Sequence, residues 1–186
     1  MSVIPKIILI GGPQATGKTT LAKELSSRLY IPWISTDQIR TICGVTPKGK
    51  EVLSEEIENS EEIWKGVERF IKSPFPWEAV LVEGVAVLPH LVASLDIEVS
   101  PIFIIDTNEK RIAEIIYQRS LLPWIQTKTE EQQSKKVAYI IEFNNFIKKE
   151  AQKYNFAIIE VSKSNRDIEK VMELLVEGTP KLRHLF

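Results

Sequence analysis

The chain has 186 residues, with 24 Lys plus Arg against 25 Asp plus Glu and a net charge of −1, so it encodes no wholesale basic surface for nucleic acid or an anionic membrane. The length suits one domain, 1–186, with a sheet covered on both faces, and no apolar run approaches the roughly 20 residues of a bilayer-spanning helix. The single cysteine, Cys43, can close no intramolecular bridge, and the first residues read as a strand rather than a signal core, so a cytoplasmic protein is expected.

Ile7-Ile8-Leu9-Ile10 is an apolar run of the kind that forms a buried parallel strand. It leads into Gly12-Pro13-Gln14-Ala15-Thr16-Gly17-Lys18-Thr19, which reads G-x-x-x-x-G-K-[ST]. Glycines at both ends let the backbone turn tightly, so that successive N–H groups point inward and cradle phosphate oxygens. Lys18 brings a point charge to the β- and γ-phosphates, and the Thr19 hydroxyl is suited to a Mg2+ ion. Thr20 follows in the first turn of a helix whose positive end faces the same anion, and Leu21, Leu25 and Leu29 give that helix its apolar stripe. Strand, loop and helix are the context the motif needs, and ATP with Mg2+ is the expected ligand pair.

Ile31-Pro32 breaks the helical pattern, and Trp33-Ile34-Ser35-Thr36 makes a second strand ending in Asp37. In open parallel sheets ligands gather at the carboxyl ends of the strands, so Asp37 is a candidate functional carboxylate, its structural alternative being a helix N-cap. Arg40, one turn on, would face the same cleft. Residues 44–76 read as a helical insertion over the cleft on the acceptor side: Ile63, Val67, Phe70 and Ile71 form its apolar face, and Trp64 and Trp77 are expected to pack. The acidic run 55–62 reads as a solvated face.

Ala79-Val80-Leu81-Val82 is the third strand and closes on Glu83-Gly84, bringing another carboxylate to the cleft edge, where it could serve the metal's water or the acceptor. A short helix is expected over 88–95, then a fourth strand at Pro101-Ile102-Phe103-Ile104-Ile105. Asp106-Thr107-Asn108-Glu109 resembles a capping box with Asp106 as the cap. The helix it opens carries Arg111 and ends near Arg119, arginines that could close over a triphosphate, within a lid region of about 107–135. A long amphipathic helix (130–154), a fifth strand (156–161) and a last helix beyond 167 follow. Five buried strands alternating with helices call for a doubly wound, five-stranded parallel sheet in an α/β fold.

Three stretches together, ILIGGPQATGKTTLAKEL (8–25), ISTDQIR (34–40) and VLVEGVAVLP (80–89), resemble the kinase domain of 2-phosphoglycerate kinases, and YIIEFNNFIKKEA (139–151) is similar too. The resemblance implies a P-loop NTPase core like that of nucleoside-monophosphate kinases, and ATP-dependent phosphorylation of a hydroxyl on a small anionic metabolite, with 2-phosphoglycerate as one candidate. It further implies that Asp37 orients and deprotonates the acceptor hydroxyl and that Arg40 binds the acceptor's anionic group. Arg119, with Arg111, would belong to the lid, and the loop around Asn165 would border the adenine. Ala86 stands where the family's EGVH-like stretch carries histidine, and the zeta-toxin-like kinases share much of the same layout.

Overall fold

The computed structural model of the chain describes residues 6–46, 52–120, 129–161 and 168–176; Asn165 and the middle of the expected lid lie outside them. The elements run β1 (Ile7–Gly11), α1 (Lys18–Leu29), β2 (Trp33–Ser35), α2 (Thr36–Ile42), α3 (Leu53–Lys72), β3 (Val80–Glu83), α4 (Pro89–Ala93), β4 (Ser100–Ile105), α5 (Glu109–Ser120), α6 (Glu130–Lys153), β5 (Ala157–Glu160) and α7 (Ile168–Val176). The strands form one sheet in the order β2-β3-β1-β4-β5, and all four pairings are parallel.

Strand alternation sends side chains to two separate cores. Ile7, Leu9, Val80, Val82, Phe103 and Ile105 meet α3, α5 and α6 on one face. Ile8, Ile10, Leu81, Ile102 and Ile104 meet Leu21, Ala22 and Leu25 of α1 and Val171 and Leu175 of α7 on the other. Helices on both faces make three layers, the α/β architecture of P-loop NTPases. Because every strand points the same way, β1, β2 and β3 all deliver their ends to one edge, with Ile10 beside Glu83 and Glu83 beside Ser35.

Three local expectations change. Thr36 is the first residue of α2 rather than the last of β2, because Ser35 caps that helix: its hydroxyl accepts from Asp37 N at 3.2 Å while Gln38 Oε1 accepts from Ser35 N at 3.0 Å. The capping oxygen of α5 is Asn108 Oδ1, which accepts from Arg111 N at 3.1 Å; Asp106 instead accepts from Asn108 N at 3.0 Å. The run 55–62 is not a wholly solvated face, since Asn59 and Ser60 in its middle are buried.

Candidate active site

Gly12 and Gly17 are both at positive φ, and at Gly12 a Cβ would come within 2.1 Å of the Ile104 carbonyl oxygen. The loop therefore lies directly on the neighbouring strand. Inside it the Pro13 carbonyl accepts from Lys18 Nζ at 2.6 Å and from Thr16 Oγ1 at 2.9 Å, so the lysine is folded back over the loop's concave side. Lys18 is only 7% exposed, and burial is the main cause that lowers its pKa to about 8, the positive Arg119 adding to it while Glu83, Asp37 and Glu56 oppose it.

Glu83, 2% exposed at the end of β3, accepts from Thr19 Oγ1 at 3.1 Å. Register explains the meeting: Glu83 pairs with Ile10, two residues before the phosphate loop, and Gly84 N donates to Ile10 O at 3.0 Å. Gly84, at φ +153, leaves room for Thr36 to press against it, since a Cβ there would sit 1.8 Å from Thr36 Oγ1. That contact seats the start of α2, and hence Asp37, beside the end of β3.

A cleft of about 300 Å³ is lined by Gln14, Ala15, Gly17, Lys18, Thr19, Thr20, Ser35, Asp37, Glu83, Gly84, Val85 and Arg119. Residues from the phosphate loop, α1, α2, β3 and α5 thus meet in one space, although Lys18 and Arg119 lie a hundred residues apart in sequence. Asp37 is 74% exposed in its side chain and lies 3.5 Å from Arg40 Nε, the arginine being half-buried, and such a surface pair contributes about 0–1 kcal/mol and parts easily. Arg40 itself lines a neighbouring groove of about 680 Å³, with Trp33, Phe70 and Trp77, which the cleft meets at Asp37.

Arg111 is placed elsewhere. Its Nε donates to Asp106 Oδ2 at 2.8 Å, and Asp106, fully buried, also takes a backbone contact with Asn144, whose Oδ1 accepts from Asp106 N at 2.7 Å. This group ties the end of β4 to α5 and α6 and does not line the cleft. Asn165 falls outside the described residues.

Thr19 and Glu83 offer an all-oxygen pair, the donor type that Mg2+ takes alongside water and substrate phosphates. Loop N–H groups and Lys18 fit a polyphosphate, and the carboxylate of Asp37 is accessible to a second substrate. Sequence reasoning missed Glu56, whose carboxylate accepts from Tyr139 Oη at 2.7 Å. Only the spacing of Glu56 and Asn59, one helical turn apart and in line with the apolar Ile63, could have flagged a polar patch on an inward face.

Among known proteins, the chain is similar to a 2-phosphoglycerate kinase of Pyrococcus furiosus, 24% identical over 205 aligned positions, gaps included, that cover 96% of this chain and 67% of that one. It is also similar to a 2-phosphoglycerate kinase of Methanocaldococcus jannaschii, 26% identical over 206 aligned positions, gaps included, that cover 93% of this chain and 64% of the relative. The chain thus spans about two thirds of the length of these curated relatives. Among solved structures it resembles a shikimate kinase from Acinetobacter baumannii in complex with shikimate, with a TM-score of 0.63, 17% identity and 97% of each chain covered. No family model matches the chain.

Proposed function

We propose that this chain, a P-loop kinase of the small-molecule type by its fold and its relatives, transfers the γ-phosphoryl group of ATP to a hydroxyl of a small anionic metabolite. The observation that carries the reading is the convergence of Lys18, Thr19, Glu83, Asp37 and Arg119 on one cleft. Similarity to the two 2-phosphoglycerate kinases makes 2-phosphoglycerate the first acceptor to test.

In this mechanism loop N–H groups and Lys18, released from the Pro13 carbonyl, hold the donor's β- and γ-phosphates. Thr19 and Glu83 would hold Mg2+, which when bound would offset the negative charge of the donor's phosphates. Asp37 accepts the proton of the acceptor hydroxyl as the new O–P bond forms and the bond to the β-phosphate oxygen breaks, leaving ADP. Its exposure in the free protein suits a group that meets its partner only when the acceptor arrives. Arg119 stabilises the charge spread over the transferred group, and Arg40, leaving Asp37, takes the acceptor's anion. Phosphoryl transfer asks mainly for positioning and charge, and this set supplies both.

The test is transfer from ATP·Mg2+ to a panel of small hydroxy acids headed by 2-phosphoglycerate, with an Asp37→Asn variant and a no-acceptor control. Acceptor-dependent ADP release that vanishes in the variant is the expected result. ADP release independent of every acceptor would overturn the reading in favour of an ATPase.

A further inference from the structure

The cleft of about 300 Å³ does not end at Asp37. That carboxylate also lines the groove of about 680 Å³, so the two spaces meet at the residue placed to take the acceptor's proton. Their chemistry differs. Trp33, Ile34, Ile42, Phe70, Trp77 and Val80 line the groove, and the backbone at the start of α2 engages its uncharged polar side chains: Thr41 Oγ1 donates to Asp37 O at 2.9 Å, and Gln38 Oε1 accepts from Ser35 N at 3.0 Å. Arg40 is the one cation among the described residues of the lining. Apolar and aromatic walls with a few placed polar groups, at this volume, are the make-up of a small-ligand pocket.

The edge of the sheet keeps the groove open. β2 stands at the end of the strand order and runs only from Trp33 to Ser35, and among the described residues no strand lies beyond it. Trp77 is 45% and Ile42 78% exposed, so part of the apolar wall faces solvent instead of being sealed in the core. Trp77 is nonetheless held in place. Its ring stacks on Phe75 with centroids 6.3 Å apart, and Pro74 and Pro76 stiffen the chain on either side of Phe75. A fixed indole with a solvent-facing surface suits a flat ring.

We propose that the groove is the part of the acceptor site that takes an apolar ring, so that the acceptor is a 2-hydroxy acid with an aromatic side chain. The proposal rests on the kinase reading and names its acceptor class. Asp37 Oδ1 and Arg40 Nε lie 3.5 Å apart, so a hydroxyl and an anion on neighbouring carbons can reach both. The remaining substituent then leads from Asp37 into the groove, towards Trp33, Phe70 and Trp77. In the transfer the hydroxyl oxygen bonds to the γ-phosphorus, the bond from that phosphorus to the β-phosphate oxygen breaks with its electron pair leaving on ADP, and the proton passes to Asp37. 2-Phosphoglycerate carries two anionic groups and no ring, and would leave the indole faces wet.

The experiment compares transfer from ATP·Mg2+ to 3-phenyllactate, to lactate, which differs from it by the ring alone, and to 2-phosphoglycerate. Wild type is set beside Trp77→Ala and Tyr30→Asn, the latter at a 94% exposed aromatic that lines neither cavity. Wild type should show a kcat/KM about 10–100-fold higher for 3-phenyllactate than for lactate, the range for burying one ring. Trp77→Ala should lower that ratio about tenfold, and Tyr30→Asn should leave the ratio as it is. A wild type that ignores the ring or prefers 2-phosphoglycerate, or a ratio that falls equally in both variants, overturns the proposal and leaves the kinase reading standing. Light scattering of the free protein tests the other occupant: a dimer that Trp77→Ala disperses gives the groove to a second copy of the chain and overturns the proposal. A last measurement follows the Trp77 indole N–H by 15N NMR, assigned by its loss in Trp77→Ala, as each acid is added with a non-hydrolysable ATP analogue and Mg2+. Movement with 3-phenyllactate and not with lactate, in the absence of any transfer, upholds the ring site and sinks the kinase reading; no movement with 3-phenyllactate overturns the ring site.

Discussion

Thr19 and Glu83, 64 residues apart, share a hydrogen bond of 3.1 Å at the floor of the cleft, the hydroxyl donating and the carboxylate accepting. The bond joins the first turn of α1 to the end of β3, so the loop that would hold the donor and the strand edge that would face the metal are fixed to each other. Glu83→Gln keeps a carbonyl acceptor for Thr19 but removes the charge. Its melting temperature should stay close to that of the wild type, while the Mg2+ concentration giving half-maximal transfer rises by about 10–100-fold. A Mg2+ titration of phosphotransfer checks it, and an unchanged midpoint would make Glu83 a purely structural partner of Thr19.

Asp37 lies inside the first turn of α2 while Ser35 and Gln38 do the capping. Asp37→Asn should therefore cost no more than about 1 kcal/mol of stability, the size of a helix-dipole contribution. Nucleotide affinity should persist while kcat drops by about 10²–10⁴, the range for loss of a general base. Parallel loss of ATP binding in a titration would mean that Asp37 supports the fold of the site instead.

Lys18, lowered to about 8 chiefly by burial, binds fewer protons in the folded chain than in the unfolded one between that value and 10.5. In this window the free protein should grow more stable as pH rises, and the slope should flatten in Lys18→Met. Polyphosphate beside Nζ restores the charge, so ATP binding at about pH 9 should take up a proton. Calorimetry in two buffers of different ionisation enthalpy measures the uptake, and Lys18→Met should abolish it.

Arg111 neutralises Asp106, a carboxylate with no exposure. Arg111→Ala leaves that charge buried and should destabilise the protein by roughly 2–4 kcal/mol, read from urea unfolding. Acceptor and ATP KM values at low temperature should barely move. A selective rise in acceptor KM at unchanged stability would return Arg111 to the ligand-binding set.

The phosphate loop, the five strands and the alternation with helices were legible in the sequence because each rests on neighbours in the chain: a glycine spacing, an apolar run, a stripe at every third or fourth residue. Asp37 and Glu83 could be assigned to one edge for the same reason, since parallel strands must end together. The start of α2 was misplaced by one residue because Ser35 and Thr36 suit a strand and a cap equally well, and the Gln38 side chain decides between them.

Only the tertiary structure decided which charge meets which. Arg111 and Arg119 look alike along α5, yet two helical turns separate a guanidinium that finds the buried Asp106 from one that reaches the cleft. Glu56, Asn59 and Ser60 read as solvated in a run of acidic residues, because amphipathicity counts apolar side chains and has no means of marking a polar group that faces inward. Local spacing determined the strands, the loop and the edge where they end. The partners of the charged and polar groups were set by the crossing of chains distant in sequence, which fixes distance and burial, the two quantities on which electrostatic interactions depend.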